Sequence, residues 1–155
     1  MTGTTKQQFK ELLACPCMRL RQTSRAVSRL YDHALESVEL TSPQFALLVH
    51  VVARAGRRMQ ELADELVMDP TTLKRLLDPM VRRGLIEVRT AEGDARAREV
   101  FATPQGASLF EAAVPHWRQA TRTINAQLGK AKVATLAQTL TDALGQLKEA
   151  ASDAP

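Results

Sequence analysis

The side chains best placed to do chemistry in this chain are cations and hydroxyls rather than catalytic groups. Thr71, Thr72, Lys74 and Arg75 follow directly on Asp69-Pro70. That pair is a helix-opening signal, an N-cap and a first-position proline. On the helix it opens, these four residues and Asp78 form an outward polar edge, with Leu73, Leu76, Leu77, Met80 and Val81 inward. A helix fits the major groove of duplex DNA, where hydroxyls and forked cations reach base edges and phosphates. Its N-terminus also offers backbone N–H groups to a phosphate. Arg89, Arg96 and Arg98 follow on a segment of alternating polarity, and an arginine at a hairpin tip suits the narrow minor groove. Taken singly, the threonines also read as first-turn polar residues and the arginines as solvated charge. Their conjunction within residues 69–98 points to DNA.

Other chemistries find less support. Cys15 and Cys17 flank Pro16 at a helix start, with Arg19 and Arg21 one turn on. Both surroundings favour thiolate, so the pair could act as a redox sensor or be two inert thiols. A bond between them within one chain is disfavoured by their close spacing. With His33, His50 and His116 they show no paired metal-ligand spacing, so no metal site and no cofactor are expected. The chain has no Gly-rich phosphate loop, no nucleophile elbow and no obvious acid–base carboxylate pair, and an enzyme is not expected.

Periodicity supplies the elements that must position these residues. Residues 6–14 suit a short lead-in helix, and apolar three- and four-residue steps run from Cys17 to about Ser37. Thr41 or Ser42 caps an almost wholly apolar helix from Pro43 to about Ala55, closed by Gly56. A short helix follows from about Met59 to Leu66, then the Asp69-capped helix, closed by Gly84. Ile86, Val88, Val100 and Ala102 alternate as a two-stranded hairpin around a loop at 91–97. Helices at about 104–128, capped by Thr103, and 130–150 finish the chain. The fold class is therefore mainly α: a winged helix-turn-helix lobe with a two-stranded wing, flanked by N- and C-terminal helices.

Composition agrees. Hydrophobic content of 45% and charged content of 25% suit a folded protein. Residues 6–29 carry six basic side chains against one acid, residues 71–98 seven against four, and residues 99–155 five against five. Positive charge clustered in this way favours a polyanionic partner. No run of eighteen apolar residues occurs and no signal core opens the chain. A cytoplasmic protein with reduced cysteines and no membrane partner is expected.

The strings MQELADELVMDPTTLKRLLDPMVRRGLIEVRT (59–90) and DARAREVFATPQG (94–106) resemble the MarR (multiple antibiotic resistance regulator) family, with Asp94, Arg96, Thr103 and Gly106 at its spacing. LRQTSRAVSRLYDHALESVELTSPQFALL (20–48) resembles the family's first helix and its junction to the second, and the likeness spans roughly residues 15–150. The resemblance implies a single MarR-like domain over 1–155. Residues 42–103 would form the DNA-binding lobe, and 6–38 and 104–152 the dimerisation helices. It implies a homodimer on a palindromic operator, probing two major grooves with Thr71, Thr72, Lys74 and Arg75. Asp94 and Arg96 would be the wing pair and Arg96 the minor-groove reader. Lys74 departs from the hydroxyl residue more usual there, so no operator sequence carries over. The resemblance further implies release by a small phenolic or aromatic effector, or by an oxidant. Tyr31, His33, Phe45, His116 and Trp117 are candidates for an effector pocket, each also readable as a core or boundary residue. A winged helix that binds protein instead of DNA is the alternative; the basic edge and wing argue against it.

Overall fold

The computed structural model describes residues 5–152; positions 1–4 and 153–155 of the expected domain lie outside the described residues. In chain order the elements are α1 (Lys6–Leu13), α2 (Pro16–Leu35), a 3-10 turn (Glu36–Val38), α3 (Ser42–Ala53), β1 (Arg57–Arg58), α4 (Met59–Leu66), α5 (Pro70–Arg82), β2 (Ile86–Ala91), β3 (Asp94–Ala102), α6 (Pro104–Leu128) and α7 (Lys130–Ser152). They form two compact units, Met1–Trp117 and Arg118–Pro155.

Side-chain caps start α1, α3 and α5. Thr5 with Gln8 and Thr41 with Gln44 are capping boxes at the heads of α1 and α3. The Ser42 N–H also donates to Asp32 Oδ1 at 2.6 Å, tying the entry of α3 to α2. Leu47, Leu48 and Val51 of α3 meet Leu62 of α4, Leu73 and Met80 of α5, and Leu85, Ile86 and Val100 of the sheet region in one buried core. Each such side chain contributes roughly 1.5–3 kcal/mol on leaving water. Val81, read as inward, is instead 41% exposed, because the buried stripe of α5 runs through Leu73, Leu77 and Met80.

The sheet is larger than the expected two-stranded wing. Its order is β1-β3-β2, all antiparallel, with Arg57 opposite Val100 and Val88 opposite Val100 on the other side. The expected loop at 91–97 shrinks to a turn at Glu92–Gly93, where Gly93 takes φ +78°. Pairing continues to Thr90↔Arg98 and then shifts to Ala91↔Asp94, so Arg96 sits in an irregular stretch beside the tip.

One close approach locks the wing to α6. Thr103 Oγ1 donates to the Gly84 carbonyl at 2.6 Å and accepts the Gly106 N–H at 3.0 Å. Gly106 lies so near Leu85 that an added Cβ would stand 1.9 Å from its carbonyl oxygen. Gly106→Ala is therefore expected to force the backbone apart and destabilise the unit by about 3 kcal/mol. A urea midpoint that did not fall would contradict this.

The second unit holds the remainder of α6 and all of α7, separated by Gly129 at φ +86°. Along α7, Leu136, Leu140, Leu144 and Leu147 repeat at helical spacing and stand 38–66% exposed.

Candidate nucleic-acid interface

The Asp69 carboxylate organises the head of α5. Its Oδ1 accepts the N–H groups of Thr71 and Thr72, each at 3.0 Å, and its Oδ2 accepts the Thr72 hydroxyl at 2.6 Å. The Thr72 hydroxyl, then the backbone amides, hold this carboxyl below the ordinary aspartate range. The cap fixes the first turn rigidly, with Thr71, Thr72, Lys74 and Arg75 all exposed.

Their engagement differs. Lys74 Nζ reaches both carboxylate oxygens of Asp78 at 2.9 and 2.7 Å, the i, i+4 pair its spacing allows. The Arg75 guanidinium makes no hydrogen bond or ion pair among the described residues. In the wing, Arg89 pairs with Glu87 and lies 4.7 Å over the Phe101 ring. Arg98 donates to the carbonyls of Ala95 at 3.0 Å and Ala97 at 3.3 Å, bracing the irregular stretch. Asp94 Oδ1 accepts the Arg96 N–H at 3.1 Å, whereas the Arg96 guanidinium has no partner among the described residues. The eight residues singled out from sequence thus separate by role. Arg75 and Arg96 present uncommitted cations, Thr71 an open hydroxyl, and the others build the surfaces that carry them.

The aromatic candidates converge elsewhere. Tyr31 of α2, Phe45 of α3 and Trp117 of α6 line a cavity of about 410 Å³ together with Leu35, Ser42, Ala46, Val49 and His50. The Phe45 ring centroid is 6.3 Å from that of Trp117 and 5.6 Å from that of Phe110, and Tyr31 is 6.5 Å from Trp117. His33 and His116 are not among its lining. His33 is exposed beside Glu36 at 3.4 Å, and His116 Nδ1 faces the Ser37 hydroxyl at 3.4 Å. Ser42 and His50 take part instead, and helical spacing could have found them, since 42, 45, 46, 49 and 50 share one face of α3. Cys15 sits half-buried at the N-cap of α2 and Cys17 is exposed; both are free thiols. Among the described residues no His, Cys, Asp and Glu cluster could hold a metal ion. None of the described helices is long and apolar enough to cross a membrane.

Comparison with known proteins places this geometry. A family model described as MarR family matches residues 39–97. The organic hydroperoxide resistance transcriptional regulator of Bacillus subtilis is 30% identical over 98 residues, covering 63% of this chain and 67% of the relative. The Mycobacterium tuberculosis transcriptional regulator MosR, solved in complex with DNA, superposes with a TM-score of 0.78 at 32% identity, over 88% of this chain and 98% of that one. A mutant of MarR from Escherichia coli, complexed with operator DNA, gives 0.77 at 28% identity, over 88% and 97%.

Proposed function

The chain belongs to the MarR family of DNA-binding transcription regulators, and from that premise we propose that it is a cytoplasmic repressor: a homodimer on a palindromic operator, released by a small aromatic effector or an oxidant. It is a regulator and not an enzyme. The observation that carries the reading is the pair of uncommitted guanidinium groups, Arg75 on the capped recognition helix and Arg96 beside the wing turn. In the DNA-bound relatives the same fold meets a duplex. Arg75 with Thr71 and Thr72 would approach the major groove, and Arg96 the adjacent minor groove.

Three further features support dimerisation and release. The exposed leucine stripe of α7 offers an apolar face that a second copy would cover, and a patch of this kind marks an interaction surface. The aromatic cavity has the size and lining of a small-molecule site. For the oxidant route, Cys15 and Cys17 at the head of α2 would supply the thiols, as the hydroperoxide-resistance relative suggests.

Selection of bound sequences from random duplex DNA, followed by sedimentation of the complex, tests this reading. An inverted repeat with half-site centres roughly 10 bp apart is expected, holding two chains per duplex. A single asymmetric site occupied by one chain would overturn the dimer reading. If peroxide releases DNA equally from the wild type and from a Cys15→Ser, Cys17→Ser double variant, the thiols are not the sensor.

A further inference from the structure

The aromatic cavity is joined to the wing strand by a chain of charged contacts. His50 lines the cavity from α3. Its Nδ1 lies 2.9 Å from Glu65 Oε2 on α4. The other oxygen of Glu65 accepts from the Arg57 guanidinium. Arg57 is only 7% exposed and belongs to β1, the strand paired with the β3 segment that continues from Arg96.

Arg57 also has a second, looser carboxylate partner. Its Nε stands 3.4 Å from Glu61 Oε2, and both of these buried atoms lack a hydrogen bond among the described residues. A buried guanidinium that loses one carboxylate cannot turn to water, but this one has a second carboxylate within reach of a small displacement.

We propose that His50, Glu65 and Arg57 form a relay that reports occupation of the cavity to the wing strand. His50 meets the ligand, while Glu65 and Arg57 are positioning residues acting through it. The proposal rests on the effector reading above. An imidazole whose Nδ1–H is committed to a carboxylate offers Nε2 to a ligand. A carboxylate ligand at that nitrogen is met by a proton taken up from solvent, so that Nε2–H donates to the ligand and the ring becomes cationic. The cationic ring binds Glu65 more strongly, which weakens the hold of Glu65 on Arg57. Arg57 then shifts toward Glu61 and carries β1 with it. This supplies a switch with two arrangements between the two sites, the physical requirement for coupling. The Glu65 carboxyl already sits below the ordinary range, chiefly through Arg57 and secondarily through His50, which places it between both partners.

The sole tryptophan, Trp117, lines the cavity, so its fluorescence reads occupancy directly. With benzoate as probe and a duplex taken from the selection above, the wild type is expected to show quenching and about a 10-fold loss of duplex affinity. By reciprocity, duplex lowers benzoate affinity by the same factor. Glu65→Gln is expected to keep the quenching while both affinities become independent of the other ligand, within about 2-fold. His50→Gln is expected to bind benzoate about 10-fold more weakly and, at saturation, to release no DNA. Should Glu65→Gln lose its fold by circular dichroism, His50→Gln at a half-exposed position carries the same test. Wild-type coupling in a folded Glu65→Gln or His50→Gln, or quenching of the wild type without DNA release, overturns the relay. Absence of quenching in the wild type overturns the effector reading itself.

Discussion

Arg96→Ala is expected to weaken binding of the selected operator on the order of 100-fold while leaving the melting temperature unchanged. The structure separates these two effects. The Arg96 guanidinium has no partner among the described residues; only its backbone N–H is used, by Asp94 at 3.1 Å. Truncation therefore breaks no internal contact, and a surface change of that kind stays within about 0.5 kcal/mol of neutral. In the proposed complex such a contact would contribute about 1–3 kcal/mol, and the proposed dimer would lose it twice. Arg98→Ala provides the contrast. Its side chain holds the carbonyls of Ala95 and Ala97, so loss of binding there should come with a loosened wing and faster amide exchange around residues 94–98. Fluorescence anisotropy at fixed salt reads the first effect and thermal melting the second. An Arg96→Ala affinity within about 2-fold of wild type would remove this residue from the groove, given the scale of one such contact.

The double substitution Leu140→Glu, Leu144→Glu should do still more. Both leucines stand 42% exposed on one face of α7. In the proposed dimer that face is covered, and two carboxylates per copy would be buried against two more. Their desolvation and mutual repulsion exceed what an interface of this kind can absorb. Sedimentation is expected to give a monomer at micromolar concentration, with helix content retained. Since a specific dimer binds at about 10⁻⁸–10⁻¹¹ M, keeping one half-site leaves about half of that free energy. The operator affinity should fall on the order of 10⁴-fold or more. A dimer that persisted would assign the α7 stripe to something other than self-association.

How much of this was legible in the residues depends on the range of the interaction. Local signals were readable almost to the residue: α5 opening on the Asp69 cap and closing at Gly84, and the break between α6 and α7 at Gly129. Their determinants lie within four positions. The two-residue β1 was not readable, because Arg57 and Arg58 are too few to show alternation and their partners, Val100 and Glu99, lie some forty residues on. The burial of Arg57 follows from the same long-range pairing and runs against the usual exposure of arginine. The wing tip at 91–97 reads as a loop because its glycine and charges resemble turn chemistry, yet β2 runs to Ala91 and β3 begins at Asp94, leaving only a turn at Glu92–Gly93. Val67, left-handed at φ 53° in the turn between α4 and α5, gives no sign in its residue type, since a β-branched side chain disfavours that conformation. Of the aromatic and histidine candidates chosen by residue type, Tyr31, Phe45 and Trp117 line the cavity and His33 and His116 do not, while His50 does, because a pocket is defined by which helix faces meet.

Binding as proposed requires the head of α5 and the wing turn to present open cations to a polyanion, and the salt dependence of binding to the selected duplex tests that most directly. Each phosphate neutralised contributes about −0.9 to the slope of log affinity against log salt. Two copies engaging through Arg75, Arg96 and the helix N-termini should give a slope of about −5 or steeper. A slope near zero, or no measurable affinity for any duplex at roughly 50 mM salt, would contradict it.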